Sequence, residues 1–125
     1  TMWHVLEHLA SPENLLIEAR RILKNGGLLI IATPNTDSLG FRLGRQDWFH
    51  LDSPRHLILY NRRSLGLLLE KTGFKVINFK KILYDFPLDL FWSVRKYNFR
   101  LFIYFLYPIF KILSGETFLA VVEKK

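Results

Sequence analysis

The stretch 11–35 constrains the fold of this chain most strongly, because a capped helix, a glycine stop and a buried strand follow one another within it. Ser11 is a favourable N-cap, Pro12 suits the first helical position, and apolar residues at helical spacing follow. We predict a helix over about 12–24, ended by a glycine pair. The five consecutive apolar residues 28–32 are typical of a strand covered on both faces, as in a parallel sheet flanked by helices. This order of elements predicts an α/β fold.

Three further regular elements are expected downstream. Asn61 is placed to cap a helix that runs to Thr72, where a glycine stops it. The residues 36–60 before it show little periodicity and predict a long ordered loop, which in a compact domain is usually functional. We expect two more strands, Phe74 to Leu83 and Thr117 to Glu123.

Composition restricts the partners of the protein. The sequence has no cysteine, which excludes a disulfide scaffold, a thiolate metal site and a cysteine nucleophile. Its formal net charge is +7, but no run of basic residues exceeds two. Solvated surface charge is therefore the simplest interpretation; an anionic membrane comes next and nucleic acid last. We expect no nucleic-acid partner.

The segment 86–113 is rich in large apolar side chains, and residues 101–110 carry no charge. These 10 residues fall well short of the ~20 needed to span a bilayer. Because the segment is apolar on every side from Leu101 onward, it should be buried or meet another surface. It could cap a lipid-like ligand, lie on a membrane between its basic flanks, form a dimer contact, or belong to the core.

The motif His4-x-x-Glu7-His8 has several interpretations. It matches the inverted zinc-protease pattern, but a helix begins after the motif rather than through it, which argues against that site. His4 is a poor ligand for Mg²⁺, which prefers oxygen. A metal-free active-site turn with His8 as a proton acceptor is the interpretation we adopt, with a structural histidine as the alternative.

Taken together, the ordered motifs resemble the C-terminal half of a class I S-adenosylmethionine-dependent methyltransferase, in the group that includes the ubiquinone-biosynthesis O-methyltransferases. The resemblance covers roughly residues 1–83 and 115–125. The matching blocks are His4-Val5-Leu6-Glu7-His8-Leu9, Arg20-Arg21-Ile22-Leu23-Lys24-Asn25-Gly26-Gly27, Thr33-Pro34-Asn35, Trp48, Pro54-Arg55-His56-Leu57 and Leu67-Leu68-Leu69-Glu70-Lys71-Thr72-Gly73-Phe74.

The resemblance implies a Rossmann-like sheet of seven strands. Residues 28–32 would be the fifth strand, 74–83 the sixth, and 117–123 the seventh, antiparallel and between the other two. Residues 1–3 would end the fourth strand, and 84–114 would be a variable apolar insertion that caps the substrate or contacts another surface. The family binds its cofactor through a glycine-rich loop, and the sequence contains no Gly-x-Gly. We therefore expect residues 1–125 to be a partial domain that is inactive alone.

The resemblance also implies roles around the cofactor, S-adenosylmethionine, and its product S-adenosylhomocysteine. Met2, Trp3 and His4 would line the methionine and sulfonium region, where an aromatic face attracts a cation. His8 and His56 are the candidates for removing the acceptor's proton, since a histidine titrates near neutral pH.

Three residues are candidates for substrate binding. Asn35 follows the buried strand, where ligands of open α/β sheets bind, although it could simply form a turn. Arg55 could pair with an anionic substrate group or with Asp52, and Trp48 stands in a matching block.

The sequence therefore predicts that the parent protein methylates a small-molecule or lipid-like acceptor in the cytoplasm, at most peripheral to the inner membrane face. The alternative is a non-catalytic α/β module that binds a partner, a second copy or a membrane surface through 86–113.

Overall fold

In the part of the chain that the structure describes, four strands form one mixed sheet: β1 (Met2–Trp3), β2 (Leu28–Pro34), β3 (Phe74–Ile82) and β4 (Thr117–Lys124). A computed structural model describes residues 1–82, 88–98, 100–106, 108–109 and 115–125. The strand order is β1-β2-β4-β3. The last strand in the sequence thus lies between two earlier ones.

The strand directions confirm the predicted sheet. β1 runs parallel to β2, with Met2 opposite Ile31. β4 runs antiparallel to both of its neighbours, with Phe118 opposite Thr33 on β2 and opposite Lys81 on β3. Because β1 and β2 are parallel, their carboxyl ends lie at the same edge, where loops from different parts of the chain meet.

The helices are α1 (Pro12–Ile22), α2 (Leu39–Gly44), α3 (Arg62–Lys71), α4 (Asp89–Ser93) and α5 (Arg100–Phe105). Short 3₁₀ turns cover Leu6–His8, Arg45–Asp47 and Phe49–Leu51. The two predicted helices are present, and α1 ends two residues before the predicted boundary at 24.

The two helix starts differ in how they are capped. Ser11 precedes α1 but makes no side-chain cap hydrogen bond, so Pro12 at the first position is what favours the start there. Asn61 and Ser64 form a reciprocal capping box at α3, with Asn61 Oδ1 accepting from the Ser64 N–H at 2.8 Å.

The prediction of a long ordered loop over 36–60 is wrong in part, because α2 and two 3₁₀ turns lie within it. Ser38 caps α2 by accepting the N–H of Phe41 at 3.1 Å. A helix of six residues is too short to show the repeated apolar spacing that reveals longer helices.

One apolar core joins α1 and α3 to the sheet. Its fully buried side chains include Leu16 of α1, Leu65 and Leu69 of α3, and Phe74 and Phe118 of the sheet. Each such side chain contributes about 1.5–3 kcal/mol by leaving water. This core fixes the sheet edge on which the loops described below rest.

A second apolar cluster docks α4 on α2. Leu90 and Val94 are fully buried and pack against Leu39 and Leu43. α4 belongs to the predicted insertion 84–114, so this part of the insertion is packed against the domain. Residues 83–87, 99, 107 and 110–114, including the predicted strand end at Leu83, lie outside the described residues.

Candidate functional site

All four histidines of the sequence line one cavity of about 350 Å³. We call this cavity the histidine pocket. His4 and His8 come from the turn after β1, and His50 and His56 come from the segment between α2 and α3. The other lining residues are Phe49, Asp52 and Arg55. The fold thus brings two separate parts of the sequence together at the carboxyl end of the sheet.

The first wall of the pocket depends on a sharp turn at His4. Its φ of 50° is left-handed, and its N–H donates to the Ala32 carbonyl at 3.0 Å. Its Nδ1 lies 2.8 Å from Oε1 of the fully buried Glu7, and Oε2 of that residue accepts from Thr33 Oγ1 at 3.1 Å. Left-handed backbone at a non-glycine residue is uncommon and concentrates at functional sites.

Burial acts to raise the pKa of Glu7, but hydrogen bonds from His4, its own backbone and Thr33 outweigh it. The net effect holds the pKa of Glu7 below its ordinary value. Glu7 is therefore a carboxylate at neutral pH and serves as the acceptor for both neighbours.

The second wall is tied to the first through the backbone. The Glu7 carbonyl accepts from the N–H groups of Leu57 and Ile58 at 2.7 and 3.2 Å. His8 Nδ1 lies 3.0 Å from the Arg55 carbonyl. These contacts fix the residues around His56 against the turn that carries His8.

The hydrogen-bond partners of His8 and His56 determine their tautomers. His56 Nδ1 lies 2.7 Å from the His50 carbonyl, in the same way that His8 Nδ1 meets a carbonyl. A carbonyl oxygen can only accept, so Nδ1 carries the proton in both rings. In the neutral ring Nε2 is then the basic nitrogen. The two rings meet edge to face at 4.7 Å between centroids.

His50 is buried behind the pocket surface. Its Nε2 lies 3.6 Å from Oδ2 of Asp89, which is fully buried at the start of α4. Its ring is nearly parallel to that of His4, with an interplanar angle of 8° and centroids 6.4 Å apart. His4 and His50 thus face carboxylates, His8 is held by a backbone carbonyl, and His56 has both kinds of neighbour, since its Nε2 lies 4.0 Å from Asp52 Oδ2.

Arg55 and Asp52 form the open side of the pocket. Arg55 Nη2 lies 2.8 Å from Asp52 Oδ1, and the arginine side chain is 75% exposed. An ion pair this exposed contributes little to stability. Arg55 is therefore free to exchange this partner for an anionic ligand group at small energetic cost.

Glu7, His8 and His56 could hold a metal ion, because one ligand atom from each lies within 4.8 Å of the others. Both oxygens of Glu7 already accept hydrogen bonds, from His4 and Thr33, and a metal would compete with them. A single carboxylate also offers few of the oxygen ligands that Mg²⁺ prefers. The metal-free interpretation remains a prediction.

A second cavity of about 320 Å³ adjoins the histidine pocket and shares Phe49 and Asp52 with it. We call it the aromatic cleft, because Trp48 and Trp92 also line it. Trp48 is almost fully buried, whereas Trp92 of α4 is 49% exposed. The predicted substrate residue Trp48 thus lies beside the pocket rather than in it.

Three predicted residues make other contacts. Asn35 is buried, and its Nδ2 donates to the Gly115 carbonyl at 2.9 Å while its Oδ1 accepts from Asp37 N–H at 2.9 Å. Both contacts hold backbone. Met2 packs on the core, and Trp3 is exposed with its ring edge-on to His4 at 6.4 Å. Their ligand-binding roles remain predictions.

Sequence reasoning missed Glu116, which organises the residues behind the aromatic cleft. This buried carboxylate accepts from Trp48 Nε1 at 2.6 Å, Gly40 N–H at 2.8 Å and Ser38 Oγ at 3.0 Å. Burial raises the pKa of Glu116 despite these donors, and nearby Asp89 raises it further. A lone acid directly before an apolar strand was the available signal.

Asp89 was also missed. It is the only acidic residue between 86 and 113, in a segment otherwise dominated by apolar, aromatic and basic residues. A single acid in such an apolar segment is a candidate partner for a basic group elsewhere in the sequence, because a buried carboxylate needs a partner.

Comparison with known proteins agrees with this architecture. A family model described as a methyltransferase domain matches residues 1–78. The ubiquinone biosynthesis O-methyltransferase of Maricaulis maris is 46% identical over 39 residues, which are 31% of this chain and 15% of that protein.

Two solved structures share the fold at low identity. A Thermotoga maritima S-adenosylmethionine-dependent methyltransferase, described as a possible histamine N-methyltransferase, is 20% identical with a TM-score of 0.61, over 99% of this chain and 54% of its own. The [4+2]-cyclase SpnF is 14% identical with a TM-score of 0.58, over 98% and 47%. The chain thus spans about half of each solved protein. Since one of them is called a cyclase, the fold alone does not specify the reaction.

Proposed function

Because this chain belongs to the methyltransferase domain family, we propose that the protein containing it transfers a methyl group from S-adenosylmethionine to a small-molecule or lipid-like acceptor. The observation that supports this most directly is the pair His8 and His56. Their Nδ1 atoms are held by backbone carbonyls, so each presents Nε2 as a base in a cavity at the carboxyl end of the sheet, and Nε2 of His56 also lies 4.0 Å from Asp52 Oδ2.

S-adenosylmethionine, when bound, supplies an electrophilic methyl group on a sulfonium. An acceptor oxygen or nitrogen that forms the new bond must lose its proton, and we assign that proton to Nε2 of His8 or His56. The N–H at Nδ1 of the same ring then stays on the backbone carbonyl, which stabilises the imidazolium that forms. Arg55, at the open side, orients an anionic group of the acceptor.

The residues present fit one end of such a cofactor. The exposed Trp3 ring beside His4 offers a surface that attracts a sulfonium cation. At about 350 Å³ the histidine pocket is near the lower end of small-molecule sites, which suits an acceptor and the transferring methyl group. Since the sequence lacks Gly-x-Gly, we propose that residues 1–125 alone neither bind the whole cofactor tightly nor turn over.

Calorimetric titration with S-adenosylhomocysteine tests the cofactor assignment. We expect binding to the full-length protein and none in the micromolar range to residues 1–125. Tight binding to the short chain would show that the glycine-rich loop matters less than we assume. Absence of binding to the full-length protein would refute the cofactor itself.

His8→Gln and His56→Gln test the base. Each keeps a polar side chain, and general-base catalysis contributes about 10²–10⁴-fold. We therefore expect the variant that removes the base to lose S-adenosylhomocysteine release by a factor of that order, with a panel of phenolic and amine acceptors. The control is Arg63→Gln on the exposed side of α3. If both histidine variants keep wild-type rates with an acceptor that turns over, neither ring is the base.

An interaction surface is the second candidate function, and exposed apolar side chains favour it. Leu101, Phe102 and Phe105 of α5 and nearby Ile109 are 59–78% exposed. Among the described residues, no helix is long and apolar enough to cross a bilayer. The basic residues of the segment and its aromatic content favour an anionic membrane surface over a second copy of the chain.

Flotation with liposomes of neutral or anionic lipid separates these cases. We expect anionic vesicles to carry the protein and Phe102→Ser/Phe105→Ser to weaken that binding, while Leu67→Ser, an exposed apolar position on α3, leaves it unchanged. A concentration-dependent dimer in sedimentation, lost in the same double variant, would instead assign the surface to a second copy. Binding to anionic vesicles would support the proposed peripheral contact with the inner face of the cytoplasmic membrane.

A further inference from the structure

We propose that Asp89 is a positioning residue for the histidine pocket, acting through His50 on His56. It belongs to α4, which lies in sequence 33 positions after His56, so no local motif links the two. The inference rests on the proposed function in one respect, since that function is what makes His56 important as a base. The contacts between Asp89, His50 and His56 do not depend on that role.

The first link is a buried carboxylate–imidazole pair. Asp89 is fully buried and His50 is 3% exposed, with Oδ2 and Nε2 3.6 Å apart. Asp89 Oδ1 accepts from the Leu90 N–H at 2.7 Å. A buried carboxylate is expensive unless it is paired and hydrogen-bonded, and the His50 imidazole lies within ion-pair distance of this one, although 3.6 Å is longer than a hydrogen bond.

The second link holds the backbone of the same residues. The Ser93 hydroxyl donates to the Asp89 carbonyl at 2.8 Å and accepts from the Phe49 N–H at 3.0 Å. Ser93 is fully buried as well. α4 therefore contacts the His50 region at two points, the His50 imidazole and the Phe49 N–H.

The third link runs from His50 to His56. The His50 carbonyl lies 2.7 Å from His56 Nδ1 and is the contact that selects the tautomer with Nε2 as base. If the His50 peptide shifts, this bond lengthens, and the ring can adopt the other tautomer. Asp89 is thus two contacts away from the proposed base, through His50, and determines its usable nitrogen without lining the pocket.

The arrangement also links the substrate-side segment to the base. α4 carries Trp92 and is followed by Arg95, both of which line the aromatic cleft. Its buried side carries Asp89 and Ser93, which hold the pocket wall. A ligand that orders α4 from the cleft therefore also orders His50 and His56.

Asp89→Asn in the full-length protein tests the proposal, since asparagine keeps an acceptor for the Leu90 N–H and loses the carboxylate that faces His50. The readout is the ¹⁵N spectrum of the four imidazoles, assigned with single His→Gln variants. We expect His56 in the wild type to show widely separated Nδ1 and Nε2 resonances, and in the variant resonances that have moved together. The control is Asp47→Asn, which removes contacts to Lys96 and Arg95 in the same segment but none to His50.

An unchanged His56 spectrum in a folded Asp89→Asn variant overturns the proposal, as does a His56 change of equal size in Asp47→Asn. If Asp89→Asn does not fold, the wild-type spectrum decides: His50 must carry a proton on Nε2 facing Asp89, and its absence refutes the pair. Failure of the proposed function is a separate result. It would appear as wild-type methyl transfer in His56→Gln, with the tautomer effect of Asp89 intact.

Discussion

Replacing Glu116 tests how the buried carboxylate holds the residues beside the pocket. It accepts from three donors, on Ser38, Gly40 and Trp48. Glu116→Ala leaves these donors without their acceptor, which costs about 1–3 kcal/mol for each buried group. Because such costs are not additive, we expect the free energy of unfolding to fall by roughly 3–6 kcal/mol. Glu116→Gln keeps one acceptor oxygen, and the serine hydroxyl can rotate to accept from the amide, but the amide NH2 then faces either the Gly40 N–H or the Trp48 Nε1–H, so we expect the free energy of unfolding to fall by about 1–2 kcal/mol.

The pH dependence of the glutamine variant has a definite sign. Burial raises the pKa of Glu116 above its ordinary value of 4.5, so the folded state binds this proton more tightly than the unfolded state. Wild-type stability contributed by this group therefore decreases as pH rises from about 4.5 through the folded pKa. The glutamine variant has no proton to lose and lacks this slope. The difference in free energy of unfolding between the wild type and this variant should be largest near pH 4.5 and shrink towards pH 7.5.

Urea unfolding at a series of pH values, followed by tryptophan fluorescence, measures both effects. Trp48 reports directly, because its indole N–H donates to Glu116. The matched control is Glu70→Gln on α3, an exposed carboxylate. The reasoning fails if the Glu116→Gln deficit is constant or grows between pH 5 and 7.5, or if Glu116→Ala costs less than about 1 kcal/mol.

Three further predictions concern two glycines, the cap of α3 and metal binding. Gly44→Ala would bring a Cβ to 2.6 Å from the Ser93 carbonyl oxygen and should destabilise the fold by about 1–3 kcal/mol. Gly66 lies within α3, and a Cβ there would be 3.9 Å from the nearest atom, so Gly66→Ala should stabilise the fold by about 0.5–1 kcal/mol. Thermal denaturation compares the two variants. Asn61→Ala removes the capping box and should cost about 1 kcal/mol, measured by urea unfolding. The metal-free interpretation predicts an unchanged Tm after dialysis against EDTA or on adding Zn²⁺, and a zinc-dependent rise that is lost in His56→Gln would contradict it.

The sequence predicted those parts of the fold that depend on local signals. The stretch 11–35 contains a proline at the helix start, apolar spacing and a glycine stop, and it forms α1 and β2 as expected. The place of β4 between β2 and β3 came from the resemblance and not from periodicity, because strand order has no local signature.

The candidate site was predictable only in part. His8 and His56 were selected by their motifs, and they lie with rings 4.7 Å apart. Their tautomers could not be predicted, since these depend on which carbonyls the folded loops place beside Nδ1. Glu116 and Asp89 were missed because their partners lie far away in the sequence, and a polar contact of that kind leaves no spacing pattern along the chain.

The buried carboxylates support the view that this region is shaped for function. Among the described residues the buried acids are Glu7, Asp89 and Glu116. The first two contact histidines that line the pocket, and the third contacts Trp48 of the aromatic cleft. Buried carboxyl groups are weak stabilisers compared with apolar side chains of the same volume, so selection for stability alone would not place three of them here. Each instead fixes the side chain of a residue that lines a cavity, which is what a site needs when reacting groups must be held within a fraction of an ångström.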